Sequence, residues 1–510
     1  MKATLSLLCI LFVFNQLTAQ VNFDLAPSTA VKENLGLTIN TPFTETKPLI
    51  SHDGTTLYFC RQNYQGNFRG QADEQDIYFA SLEDTQWSSA RNLGWPLNDQ
   101  HPNGVSSIST DGNTLLLINQ YIKEGGAKKG ASISRRTKDG WSFPEKIRID
   151  DFYNYSPYVD YFLEAQNKVL LLAVHRQDSH GDQDLYVSFK ESNYWSKPLN
   201  MGAAINTSKA DFAPFLAADG KTLYFASEGH DGLGGSDIYY SKRLDESWIA
   251  WSEPVNLGPA INTQTWDAYY SVSAKGDYAY FVSKNPSNYS KDIYRLALRD
   301  ENKPEPVVMI SGQILSNEQK LLLSGILNVI DTTGKALEAQ YESTDGNYKF
   351  VLPAGTKYNF QILAPGYLIK KETLNLTKHK SFKDISHDFM LTPLALGEKI
   401  PLQNIFFTRS QPTLIDASYK ELQYLVDFLK INSTVEIELG GHTDNIGIPQ
   451  LNLELSQKRV DGVKAYLVSK GIDENRLLTK AYGGSKPIAS NTSEDSRKKN
   501  RRVEFTILKL

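Results

Sequence analysis

The chain has 510 residues, 40% hydrophobic and 22% charged, a size that suits about three to four domains with ordinary cores. Its formal net charge of −4 gives no footing for binding nucleic acid or an anionic membrane surface. With 27 Tyr, 7 Trp and 34 Gly it leans towards β structure with many turns.

In chain order, Met1 to Ala19 reads as a secretory signal peptide: Lys2 is the positive end, Leu5 to Phe14 is mainly apolar, and Thr18-Ala19-Gln20 offers a small-residue cleavage point. Leu7-Leu8 before Cys9 is not a lipoprotein context. Cleavage after Ala19 leaves Cys60 as the single cysteine, with no internal disulfide. No later segment is apolar enough for a membrane helix, and no array of alternating ten-residue strands suggests a membrane barrel. An exported soluble protein is expected.

Residues 20–302 repeat one unit five times. Ser51-His52-Asp53-Gly54, Ser109-Thr110-Asp111-Gly112, Ala217-Ala218-Asp219-Gly220 and Ser273-Ala274-Lys275-Gly276 each lead into an apolar run, with a degenerate copy at Ala165-Gln166-Asn167-Lys168. Asp76, Asp184, Asp237 and Asp292 each precede Ile-Tyr or Leu-Tyr, with Ala131-Ser132-Ile133 in the weak copy. Trp-Ser recurs at Trp87, Trp141, Trp195 and Trp251, at intervals of 54, 54 and 56 residues. Such short-stranded units cannot bury an apolar face alone, and stacking them radially gives a β-propeller of five blades, or alternatively six. The repeat resembles the WD-like propeller repeat of bacterial exported proteins, of the TolB type. Because Glu33-Asn34-Leu35-Gly36 matches Val255-Asn256-Leu257-Gly258, the N-terminal piece is expected to supply the outer strand of the last blade. His175, Asp178, His180, Asp182 and Asp184 crowd one loop, and His230, Asp231 and Asp237 another. Asp184 and Asp237 hold a repeated position, so a turn role explains them, and neither a metal nor a cofactor is expected.

After a stiff linker, Asn302-Lys303-Pro304-Glu305-Pro306, residues 303–394 carry alternating apolar strands. The landmarks Asp345-Gly346-Asn347-Tyr348-Lys349-Phe350, Leu352-Pro353-Ala354-Gly355 and Gly366-Tyr367 resemble the carboxypeptidase regulatory-like domain. That resemblance implies a seven-stranded β-sandwich, here without peptidase residues and with a spacer as its default role.

Residues 395–510 read as an α+β domain: a strand at Ile405 to Phe407, a helix with Tyr419, Leu422, Val426 and Leu429 on one stripe, a strand, a helix and a final strand with Val503, Phe505 and Ile507 alternating. Val435, Ile437 and Leu439 alternate with Glu436 and Glu438, Gly440-Gly441 is expected to end that strand, and Leu453, Val460, Val463 and Leu467 mark the buried stripe of the next helix. Asn452, Ser456 and Arg459 lie on another stripe, placing an amide, a hydroxyl and a guanidinium near Asp444. One carboxylate and one guanidinium suit a ligand carrying an ammonium and a carboxylate together. An isolated Asp and Arg would instead read as a surface salt bridge worth little. His442 is expected to support the turn, since no Cys or second His lies nearby in the motif.

Gly441-His442-Thr443-Asp444, Gly447, Asn452, Leu455-Ser456 and Arg459, with Tyr482-Gly483, Pro487 and Asn500-Arg501-Arg502-Val503-Glu504-Phe505, resemble the OmpA-like peptidoglycan-binding family in order. Thr408 and Ser496 depart from it, standing where Asp and Gly are common. The resemblance implies that Asp444 and Arg459 grip the diaminopimelate of the peptidoglycan stem peptide, that Asn452 assists and that Arg501 supports; Thr443 joins this expected set. The domain order resembles PorE-type periplasmic proteins of Bacteroidota. It implies a non-enzymatic anchor in the periplasm, associated with cell wall and outer membrane, whose propeller meets an envelope protein partner, for example of type IX secretion. The alternatives are a small-ligand sensor with the propeller as receptor, or a propeller enzyme tethered to the wall. No Gly-x-Ser-x-Gly or His-Glu-x-x-His motif supports the enzyme.

Overall fold

In four of the repeats a glycine with left-handed backbone turns the first strand into the second: Gly54, Gly112, Gly220 and Gly276 have φ between 68° and 75°. The degenerate copy uses Asn167 at φ 59°, a residue whose short polar side chain tolerates that region. The computed structural model describes residues 31–123, 126–300, 303–332, 339–402, 405–408 and 411–510. The expected signal peptide, Asn302 and Asn404 lie outside the described residues.

Among these residues the repeats form five antiparallel sheets. Their first strands are Thr44–Ile50, Val105–Ile108, Asp160–Leu163, Asp211–Leu216 and Asp267–Val272. Each packs beside the first strands of the sheets before and after it, and Thr44–Ile50 also packs beside Asp267–Val272, so the series closes on itself. Glu33–Asn34 is the outer strand of the last sheet, pairing with Arg295 and Tyr294 as the matching sequences suggested.

A buried asparagine fastens the outer edge of four sheets. Asn206 accepts from Leu185 N–H at 2.7 Å and donates to the Leu185 carbonyl at 3.0 Å and to Asn200 Oδ1 at 2.9 Å. Asn98, Asn262 and Asn40 repeat this on Ile77, Ile238 and Ile293. The repeated aspartates complete the network: Asn34, Asn92 and Asn200 donate to Asp292, Asp76 and Asp184 at 2.7, 2.6 and 2.8 Å. Asp184 also accepts from the N–H groups of His180 and Gly181, a turn role. No cluster able to hold a metal ion occurs among the described residues.

The middle segment forms two four-stranded sheets around one apolar core that includes Ile310, Leu327, Phe350, Phe360 and Phe389. Val307, Met309 and Val351 pack on Ala218 and Ala274 of the repeat region, where Lys349 pairs with Asp53 at 2.7 Å. At its other end the Gly366 N–H donates to Asn432 at 2.7 Å, and Leu363 enters the C-terminal core.

The C-terminal sheet runs in the order Lys399–Leu402, Val503–Lys509, Glu436–His442, Leu477–Gly483, with only the last two parallel. Helices α1 (Ala417–Ile431) and α2 (Pro449–Ser469) contribute Leu422, Val426 and Leu429, and Val460, Val463 and Leu467, to a core with Ile437, Leu439 and Phe505. A short helix α3 (Glu494–Asn500) precedes the last strand. Several local expectations are corrected. The first strand is Lys399–Leu402 rather than Ile405 to Phe407; Phe407 makes an isolated bridge to Leu414. The strand at 436 continues through Gly440-Gly441 to His442. Tyr419 and Leu453, 40% and 41% exposed in the first turns of their helices, are not buried as the expected stripes implied. No helix among the described residues is long and apolar enough to cross a membrane.

Candidate functional site

Strand and helix come together at Gly441. A Cβ there would sit 2.5 Å from the Ser456 carbonyl oxygen and 2.9 Å from Val460 Cγ1, so glycine lets α2 lie directly on the strand end. Ser456, fully buried, receives the Gly483 N–H at 3.1 Å on its Oγ; it belongs to this seam rather than to the ligand-facing stripe expected from helical spacing. Pro449 opens α2 at its first turn, where a missing N–H costs nothing.

The chain then turns outward through Thr443, Asp444 and Asn445. Thr443 is buried, with its N–H on the Gly483 carbonyl and its Oγ1 donating to the Asp444 carbonyl, both at 2.9 Å. Asn452 reaches back from α2, donating to the Ile446 carbonyl at 2.9 Å and more weakly to that of Asp444 at 3.4 Å. Both therefore hold the loop in shape. His442 stacks on Tyr482, centroids 4.9 Å apart, and lies 3.2 Å from Glu504 Oε1 without hydrogen-bond geometry. Burial, with the Arg502 charge nearby, lowers its pKa to about 4, so it is a neutral packing residue at ordinary pH.

Asp444 Oδ1 accepts the Ile446 N–H at 3.0 Å, and Oδ2 accepts from Arg501 Nη1 at 2.7 Å. Arg501 is bound on its other side by Glu494 at 2.5 Å, and Glu494 also pairs with Arg497 at 3.0 Å. The hydrogen bonds that Arg501 donates to Glu494 and Asp444 hold its pKa above the ordinary value.

Arg459 is placed differently. It is 9% exposed, its Nε donates to the Gln411 carbonyl at 3.2 Å, and its guanidinium lies 4.8 Å from the centre of the Phe407 ring. Among the described residues no carboxylate lies within 4.0 Å of it. Burial and the Arg501 charge lower its pKa, against the pull of Asp444. The expected Asp444 and Arg459 are thus neighbours electrostatically, yet the ion pair in place joins Asp444 to Arg501. A simple surface bridge between Asp444 and Arg459 is absent among the described contacts.

Of the expected Asp444, Arg459, Asn452, Thr443 and Arg501, the fold brings Thr443, Asn452 and Arg501 into contact with the Asp444 loop, while Arg459 contacts Gln411 and Phe407 and is linked to Asp444 by charge alone. Sequence reasoning missed Glu494, Gln411 and Phe407. Glu494 could have been found from its place seven residues before Arg501 in a segment otherwise rich in basic residues; nothing local marks Gln411 or Phe407.

Residues 406–501 match the OmpA family, so the C-terminal segment is an OmpA-like domain. The chain is 40% identical over 106 residues to the peptidoglycan-associated lipoprotein of Buchnera aphidicola subsp. Baizongia pistaciae, a match covering 21% of this chain and 61% of that protein. It is 53% identical over 68 residues to outer membrane protein A of Bordetella avium, covering 13% of this chain and 35% of that one. It therefore spans less than two thirds of either relative. Among solved structures, the peptidoglycan-associated lipoprotein from Burkholderia pseudomallei matches at 26% identity, covering 21% of this chain and 88% of that chain, with a TM-score of 0.19.

Proposed function

We propose that this protein is a non-enzymatic anchor of the periplasm, associated with cell wall and outer membrane, whose C-terminal domain binds the peptidoglycan stem peptide at its diaminopimelate. In this reading Arg459 takes the ligand carboxylate and Asp444 its ammonium, while Thr443, Asn452 and Arg501 hold the Asp444 loop. The observation that carries it is the state of Arg459: a guanidinium only 9% exposed with no carboxylate within 4.0 Å among the described residues, beside a loop-held aspartate. A buried charge in that state favours an anion of matching planar shape. The name of one relative, a peptidoglycan-associated lipoprotein 40% identical over 106 residues, supports the same ligand.

The rest of the chain is read as display: a five-bladed β-propeller over residues 20–302, supported by five sheets with cyclically adjacent first strands, and a β-sandwich spacer over residues 303–394. The propeller would offer its surface to an envelope or type IX secretion partner. Co-sedimentation of the full chain with purified sacculi tests the anchor. Asp444→Ala and Arg459→Ala should each weaken retention, by about 2–5 kcal/mol where a desolvated charge pair loses one member. If both variants sediment like the parent, the site is elsewhere.

A further inference from the structure

The five first strands of the repeat region meet around a cavity, and one position of each strand lines it. The residue three before the end of each strand is Lys47, Val105, Asp160, Ala213 or Tyr269. Three of these five have left-handed backbone without being glycine, with φ 53° at Lys47, 52° at Ala213 and 58° at Tyr269. Each of the three lies where the register between the first and second strands of its sheet is broken. A bulge of this kind re-aims a side chain, and backbone kept in so unfavourable a region is characteristic of ligand sites.

The re-aimed groups form an ion pair inside the ring of strands. Lys47 Nζ donates to Asp160 Oδ1 and lies 4.5 Å from the centre of the Tyr269 ring, and Asp160 Oδ2 accepts the Ala213 N–H at 3.2 Å. The Lys47 and Asp160 side chains are only 13% and 8% exposed. Leu49, Phe162 and Phe215 add an apolar wall, the two rings 5.0 Å apart. The cavity encloses about 380 Å³, part of it open to solvent, and Ala213 is the smallest of the five residues around it.

Because the two charges already match, they restrict what can enter. An anion would come to lie beside Asp160 and a cation beside Lys47, and either would add net charge to a largely desolvated place. An apolar molecule would leave the remaining hydrogen-bonding capacity of the pair unsatisfied. The ammonium has three N–H donors and gives one to Asp160; the carboxylate has about four acceptor positions, of which Lys47 and the Ala213 N–H use two. Two neighbouring hydroxyls can accept from Lys47 and donate to Asp160 with the ion pair intact, while the C–H face of the ring that carries them lies on Leu49, Phe162 and Phe215.

We propose that this cavity is a second ligand site, taking a neutral polyhydroxylated ring, either a free monosaccharide or the end unit of a saccharide chain, with Lys47 and Asp160 holding adjacent hydroxyls. It does not rest on the peptidoglycan reading of the C-terminal domain, and it gives the repeat region a small ligand in addition to any protein partner.

The test is calorimetric titration of the full chain with glucose, galactose, mannose and N-acetylglucosamine, with a wall glycan fragment stripped of stem peptides, and with acetate and methylammonium as charged controls. At least one saccharide should bind the parent and neither control should bind more tightly. Ala213→Leu should fill the cavity without disturbing the strand, since Lys47 and Tyr269 carry long side chains on the same left-handed backbone. Lys47→Met combined with Asp160→Asn removes both charges and keeps an acceptor for the Ala213 N–H. Each variant should weaken saccharide binding at least about tenfold, with peptide-resolved hydrogen exchange over the first strands showing which of them keeps its fold and is to be read. Tighter binding of a free sugar identifies a soluble ligand and tighter binding of the fragment a chain end; both support the site. The proposal is overturned if no saccharide binds the parent, if a charged control binds more tightly, or if a folded variant binds like the parent.

Discussion

Two glycines near the same helix should respond to alanine in opposite directions. At Gly441 the added methyl would meet the Ser456 carbonyl oxygen at 2.5 Å, its carbon at 3.1 Å and Val460 Cγ1 at 2.9 Å. Two of these are backbone atoms of α2, which cannot rotate away, so the helix must move off the strand. Overpacking of this kind costs about 1–3 kcal/mol, and the shift carries Arg459, three residues beyond Ser456 on the same helix. At Gly462, inside α2, the nearest atom to the new Cβ is the Pro412 carbonyl oxygen at 3.8 Å, an ordinary contact. There alanine removes the entropic penalty of a helical glycine and should stabilise by about 0.5–1 kcal/mol. The chain has several cores, so one unfolding free energy for the whole molecule would mix them, and peptide-resolved hydrogen exchange over α2 is the suitable assay. Gly441→Ala should speed exchange there by about fivefold to a hundredfold and weaken sacculus retention, while Gly462→Ala should slow exchange. Equal protection in Gly441→Ala and the parent would refute the claim that this contact fixes the helix against the strand.

Asn40→Ala should loosen the joint between the N-terminal segment and the last sheet, since Asn40 is buried and satisfies both the N–H and the carbonyl of Ile293 at 2.9 Å. The Ile293 carbonyl keeps the Leu35 N–H at 3.2 Å, but the Ile293 N–H loses its partner; leaving such a group unpaired costs about 1–3 kcal/mol, visible as faster exchange in residues 291–297, and unchanged exchange would remove this asparagine from the fastening. A second prediction concerns acid. His442 has a folded pKa near 4, below its ordinary 6.5, so the folded state disfavours the proton that the unfolded state accepts. Its stabilising effect is complete above pH 6.5 and fades as pH falls towards 4, by at most about 3 kcal/mol. His442→Gln should flatten that decline in the C-terminal domain's stability, measured by hydrogen exchange at a series of pH values. An undiminished decline would assign the acid sensitivity to other groups.

The repeat was legible because its turn and edge residues recur at near-constant spacing, and each recurrence has a local cause, such as the left-handed backbone at Gly54 or Gly220. The buried asparagines escaped because an Asn in a polar loop looks like any turn residue until its partner strand is known. In the C-terminal domain, the strand Lys399–Leu402 is inconspicuous in the sequence because it carries Pro401. Proline reads as a strand breaker, yet this strand lies at the edge of the sheet, where an N–H facing outward is not needed. Leu453 matched the helical period, seven residues before Val460, but it lies in the first turns of α2 and is exposed there, whereas Val460, Val463 and Leu467 further along are buried. Asp444 and Arg459 could be named from an ordered string of residues, whereas the ion-pair chain from Asp444 through Arg501 to Glu494 could not. It joins residues 57 positions apart, and only the fold decides which guanidinium reaches the aspartate.

The structure of the full chain with a bound diaminopimelate stem peptide tests the central claim most directly. The ligand carboxylate is expected within about 3 Å of the Arg459 guanidinium, a charge-assisted hydrogen-bond distance, with the peptide lying over the Asp444 loop. A stem peptide seated elsewhere, with Arg459 still lacking a carboxylate, would contradict it.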